Sequence, residues 1–134
     1  MKYVVIILAF LSFAVTPTVW AGKTDVPMPV FTTESLTSLS VKELRTAGAD
    51  LYKVYRDRSK LRSQNEITNE ELDSYLINIR HQSEILEIEL KDRIEMLPPP
   101  DAQTNQEKQG LRVLDRTLKG VHATYSSVDK AMSQ

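Results

Sequence analysis

Three times in this chain a hydroxyl side chain stands three residues ahead of a glutamate, at the head of a run of regularly spaced apolar residues. The segments are Ser40-Val41-Lys42-Glu43, Thr68-Asn69-Glu70-Glu71 and Thr104-Asn105-Gln106-Glu107. Each is a capping box. The hydroxyl accepts from the backbone N–H three residues on, and the glutamate accepts from the N–H of the cap residue, so two orphan donors of a helix start are satisfied together. The first two boxes are flanked by Leu39 with Leu44 and by Ile67 with Leu72, the positions at which a hydrophobic staple holds the entering chain. Three helix starts in 134 residues restrict the fold to helices packed side by side.

The spacing of apolar residues agrees. The third helix carries Leu111, Leu114, Leu118, Val121, Tyr125, Val128 and Met132, in alternating steps of three and four. That is the seam of a coiled coil. The second carries Leu72, Leu76, Ile79, Ser83, Leu86, Leu90, Ile94 and Leu97, with Ser83 as its weak point. The first is looser, through Leu44, Ala47, Leu51, Val54, Arg58 and Leu61, widened by Val41, Gly48 and Tyr55. A short polar link separates the first two helices, and Pro98-Pro99-Pro100 closes the second, because proline lacks an N–H and restricts the residue before it. Short links make neighbouring helices antiparallel.

The expected fold is therefore all-α. Residues 40–134 form an up-down-up antiparallel three-helix bundle, coiled-coil-like, with helices over about 40–63, 68–97 and 104–132. Helices of that size are roughly 40 Å long at 1.5 Å per residue. Residues 22–39, rich in Pro, Thr and Ser, read as an extended arm with one helical turn near 33–36.

The start of the chain bears on location. Residues 3–15 are apolar apart from Ser12, Pro17 interrupts the run, and Val19 and Ala21 are small enough for a signal peptidase. Residues 1–21 thus read as a secretory signal peptide cleaved after Ala21, and the expected location is periplasmic or secreted. Membrane contact is expected only if this segment is kept as an anchor. Cleavage removes one lysine from a chain of formal charge −1, leaving −2. So balanced a charge argues against nucleic acid as a partner, since nucleic-acid binding needs a strongly basic footprint. The chain has no cysteine, so disulfides, thiol catalysis and zinc–thiolate sites are excluded.

Chemistry finds little purchase in this pattern. On the heptad register His81 falls opposite the seam of its helix and His122 on a flank, and no His-x-x-x-His or Glu-x-x-His pair is present for a metal or haem. The four glycines are scattered, so no phosphate-cradling loop is formed. No enzyme activity and no cofactor is expected. The basic run Lys53, Arg56, Arg58, Lys60 and Arg62 suits the C-terminal end of a helix and is expected to be neutralised by Glu66, Glu70, Glu71 and Asp73 across the hairpin. Arg58 lies in the seam itself and is expected to snorkel to water near the hairpin end.

One feature exceeds the needs of a bundle. Ile77, His81, Ile85 and Ile88 fall within an arc of about 80° on the second helix, nearly opposite its leucine seam. A surface helix keeps that side polar unless something covers it. The cover is expected to be another envelope protein, a second copy forming a homo-oligomer, or the arm folding back through Val26, Met28, Val30 and Phe31. The function this implies is protein–protein interaction, as an accessory, adaptor or chaperone-like component of an envelope assembly. The alternative is a periplasmic carrier of a small apolar ligand or lipid, held where Ala47, Gly48 and Ser83 leave space between the seams.

Overall fold

The computed structural model describes residues 27–133, so residues 1–21, expected to be a signal peptide, and the first part of the arm lie outside the described residues. A short helix α1 (Thr33–Thr37) is followed by three long ones, α2 (Val41–Ser63), α3 (Asn69–Glu95) and α4 (Asn105–Met132). A single 3₁₀ turn, Pro100–Ala102, stands between the last two. The long helices pack against one another pairwise, and no strand occurs among the described residues.

Every long helix starts where its capping box places it. Ser40 Oγ accepts from Glu43 N at 3.1 Å while Ser40 N donates to Glu43 at 2.9 Å, and Thr68 with Glu71 and Thr104 with Glu107 repeat the exchange. A fourth box, Thr32 with Ser35, opens α1 with serine in the glutamate's place. At the other end, α3 stops at Glu95, two residues short of the expected boundary. Leu97 precedes Pro98 and is held out of the helical region by it, so the last turn closes earlier.

The link from α2 to α3 is a Schellman motif. Asn65 takes the left-handed conformation at φ 60°, its N–H bonds Arg62 O, and Glu66 N–H reaches back to Leu61 O at 2.9 Å. Asparagine tolerates that conformation better than most residues, and two end carbonyls of α2 are thereby satisfied.

The core follows the seams, with one rotation. In α2 the buried residues are Leu44, Ala47, Leu51, Val54, Arg58 and Leu61, the six read from the spacing. In α4, however, the buried line is Leu114, Thr117, Val121, Thr124 and Val128, while Leu111, Leu118, Tyr125 and Met132 are half-buried. The helix is turned so that two threonines face inward. Their hydroxyls are satisfied within the helix, Thr117 donating to Val113 O at 2.7 Å and Thr124 to Gly120 O at 3.1 Å, which leaves the methyl groups to pack. Gly48 explains the rotation. A Cβ there would stand 3.2 Å from Val121 Cγ2 and 3.3 Å from Thr117 Cγ2, so α2 and α4 approach closely because that atom is missing.

The arm is part of the core. Met28, Leu36 and Leu39 are buried; Met28 joins Val54, Leu76, Ile79 and Val128, whereas Leu36 and Leu39 join Leu44, Leu51, Leu86 and Leu90. Residues 28–39 therefore run beside α3 in the same direction and fill the furrow between α2 and α3. Two polar side chains of α3 hold it there. Gln82, buried, accepts from Phe31 N–H. Arg93 donates to the carbonyls of Leu36, Thr37 and Leu39 at 3.2, 3.1 and 2.7 Å, closing the C-terminal end of α1, and its Nε binds buried Glu89 at 2.7 Å. A cation on the last carbonyls of a helix meets both their unused lone pairs and the negative end of the dipole.

Candidate functional site

A three-helix bundle has three outer furrows, and in this protein each is treated differently. The α2/α3 furrow is filled by the arm. The α3/α4 furrow is laced by side chains: Arg80 of α3 donates to Tyr125 Oη at 3.2 Å and pairs with Asp129 at 3.4 Å, and His122 Nδ1 meets Glu87 at 3.2 Å. The α2/α4 furrow is open. It forms a groove of about 440 Å³ whose lining includes Gly48, Ala49, Val113, Gly120 and Ala123, bordered by Arg45, Tyr52 and Arg116. The close approach at Gly48 sets the helices near each other, and the lack of a side chain at Gly120, where a Cβ would meet nothing within 4 Å, keeps the space beside it empty.

The residues predicted to meet a partner are divided by the arm. Ile77 and Ile88 are 55% and 59% exposed, and His81 is exposed between them. Ile85 is half-buried and packs on the core cluster to which Leu36 and Leu39 belong. Helical geometry accounts for this. Counting 100° per residue from Ile77, Ile88 lies at about 20° and His81 at about 40°, but Ile85 lies at about 80°, towards Glu89 and Gln82 on the side the arm covers. The arm thus folds back along the edge of the stripe and leaves its centre to solvent. Along the exposed line stand Asp73, Glu84 and Glu95, with Lys91 the one cation.

The basic run is dispersed rather than gathered. Arg56 lies over the Tyr52 ring at 5.8 Å, and Arg62 binds the side-chain oxygens of Asn65 and Asn69. The cross-hairpin neutralisation expected of Arg62 is thus replaced by amides at the turn. Arg58 differs most from expectation. It is 2% exposed and does not reach water: its guanidinium pairs with Asp57 and stacks 4.7 Å from the centre of the Tyr75 ring. Arg58 Nε has no acceptor among the described residues. The side chain is enclosed with the Tyr75 ring over its guanidinium, where the spacing alone suggested an open end. Burial pushes the Tyr75 phenol above its usual range, with Arg58 opposing that shift.

Burial also raises Asp50, on α2, above its ordinary 3.8, with Lys53 pulling the other way. A carboxyl whose folded value exceeds its unfolded one binds its proton more tightly in the fold, so the ionised form opposes folding. The opposition is complete above the folded value and fades as pH falls through it towards 3.8. Asp50→Asn is expected to raise the melting temperature at neutral pH, with the gain shrinking as pH falls into the carboxylate range. Thermal melts of both proteins across that range check it; a gain independent of pH excludes this origin.

Neither Gln82, which holds the arm, nor Glu89, which pairs with the Arg93 that holds it, was signalled by apolar spacing. Their only sequence signal is position, since both stand on the edge of the α3 seam where a purely solvated helix has no use for a buried polar group. The α2/α4 groove was missed as well. The sequence reading put spare room at Ala47, Gly48 and Ser83, but Ala47 and Ser83 are packed, with Ser83 Oγ donating to Ile79 O at 2.8 Å. The signal was the second small pair, Gly120 and Ala123, facing Gly48 and Ala49.

Among the described residues no group of three or more His, Asp and Glu side chains is placed to hold a metal ion. No helix among them is long and apolar enough to cross a membrane. No protein-family model matches this sequence, and no curated protein or solved structure is similar to it.

Proposed function

We propose that this is an exported, non-catalytic helical protein that works by protein–protein contact, as an accessory, adaptor or chaperone-like component of an envelope assembly. The observation that carries the contact reading is the exposed line on α3. Ile77 and Ile88 are more than half exposed on a helix whose other faces are occupied by the core, the arm and α4. Single apolar residues at a surface are ordinary, but two isoleucines in register, bordered by acids, form a ridge suited to a helix-on-helix contact. The export reading is supported by the apolar residues 3–15 and the small residues Val19 and Ala21.

Two measurements test it. Changing Ile77 and Ile88 together to glutamate leaves the core untouched and is expected to preserve the melting temperature while abolishing capture of the native partner or self-association. A folded double variant with unchanged capture and unchanged size removes the ridge from the function. Amino-terminal sequencing of the protein from expressing cells is expected to begin at Gly22; an intact Met1 terminus replaces export with anchorage.

A further inference from the structure

The ridge and the groove lie on opposite sides of the bundle. Leu86 of α3 comes within 3.9 Å of the position a Cβ on Gly48 would take, so the inner face of α3 forms the floor beneath the α2/α4 groove. The outer face of α3 therefore points the other way. The two surfaces are complementary in three respects. In shape, one is a convex line of side chains and the other a furrow lined by glycine and alanine. In length, Ile77 to Ile88 and Val113 to Ala123 each span about 15 Å at the helical rise. In charge, the ridge carries Asp73, Glu84 and Glu95 against Lys91, with Arg80 at its α4 edge beside Glu84, whereas the groove is bordered by Arg45 and Arg116 with no acid in its lining. Neither arginine has an acidic partner among the described residues, while Glu84 is about half exposed and only 3.8 Å from Arg80, leaving it open to a second cation.

We propose that the occupant of the groove is a second copy of this chain, whose α3 ridge lies between α2 and α4 of its neighbour with Ile77 and Ile88 over the small residues. The proposal rests on the contact reading of the ridge and names its partner. The contact is heterologous, since each copy offers a ridge on one side and a groove on the other. Repetition of such a contact gives a ring if the rotation closes and an open row if it does not. Opposed charges along the borders fix the register and make association salt-dependent.

The test uses the full-length chain as its host processes it, followed by analytical ultracentrifugation over a wide range of concentration. Assembly beyond the monomer is expected, weakening as salt is raised. Gly120→Leu fills the groove and is tolerated by the fold, because a Cβ at Gly120 meets nothing within 4 Å. It is expected to weaken self-association at least about tenfold, as is Ile77→Glu with Ile88→Glu, since both strike the desolvated centre of the contact. Arg45→Glu with Arg116→Glu, at two exposed positions, repeats the groove experiment without adding bulk.

The decisive step is mixing. The groove variant keeps its ridge and the ridge variant keeps its groove, so the mixture is expected to form pairs that stop at two. A monomer at all concentrations, or variants that fail to pair on mixing, overturns the proposal. So does native mass spectrometry that finds a lipid held by the monomer and lost in Gly120→Leu. If the chain stays monomeric while the ridge variant still loses a different envelope partner, the contact reading stands and only the occupant is wrong. If that capture is also unchanged, both fall.

Discussion

Replacing Arg93 by alanine is expected to destabilise the protein by about 3 kcal/mol, although the residue contributes little to the apolar core. Its guanidinium donates to three carbonyls at and just past the end of α1, and it is the partner of Glu89, whose side chain is 8% exposed. Removing it leaves a carboxylate in the interior without its cation and takes the side-chain donor from the Thr37 and Leu39 carbonyls, while Leu36 O keeps the N–H of Leu39. An unpartnered buried group is penalised far more than an intact pair is rewarded. Two further variants separate these terms. Glu89→Gln alone retains a neutral acceptor and is expected to lose less. The double change Glu89→Gln with Arg93→Ala is expected to fall well short of the summed single effects, because the stranded charge is gone. Denaturant unfolding of the four proteins checks this, with limited proteolysis reporting release of residues 27–39. A loss below about 1 kcal/mol, the range of an ordinary exposed pair, would show that Arg93 is a surface decoration.

Arg58 gives the opposite lesson about a charge in a core. Arg58→Ala is expected to lose about 3 kcal/mol, chiefly by opening a void among Val54, Tyr75 and their neighbours. Arg58→Met is expected to recover that loss and to match or exceed the parent protein. The reasoning turns on what the guanidinium gains in place. It has Asp57, which is 21% exposed and can return to water, and the face of Tyr75; its Nε is buried without an acceptor among the described residues. A desolvated charge with one donor unmet yields little net stability, whereas the long apolar stem packs as methionine would. Unfolding midpoints of the two variants decide it. If Arg58→Met falls as far as Arg58→Ala, the stacking on Tyr75 and the pairing with Asp57 hold this part of the core after all.

Much of the fold was legible because its signals are local. A capping box spans four residues and a seam repeats within two turns, so helix starts and the α2 core positions could be read directly, and the end of α3 to within two residues. What failed to show was set by distant parts of the chain. The rotation of α4 that buries Thr117 and Thr124 depends on Gly48, and apolar spacing cannot rank a threonine methyl above Leu118 unless the facing helix is known. Gln82 and Arg93 read as solvated because their partners are backbone groups more than fifty residues away, and Glu89 is buried as the partner of Arg93. The same holds at the candidate surface. The stripe of Ile77, His81, Ile85 and Ile88 was visible as a period in one helix, but which of its members stay exposed was decided by the arm. Arg58 was placed in the seam correctly, and its enclosure beneath Tyr75 of the next helix is something no spacing rule predicts.

The docking of the arm also dictates an order of events. The helical hairpins are joined by links of a few residues, whereas the arm meets α3 across 51 to 57 residues of chain. Loop closure over that distance is entropically slower to repay than the closing of a hairpin. The stretch synthesised before any helix of the bundle must therefore wait, with Met28, Leu36 and Leu39 uncovered, until Arg93 has emerged and the helices have met. By the same token it is expected to let go first when the domain breathes, so that the part of the domain made before its helices is the latest to settle and the soonest to leave.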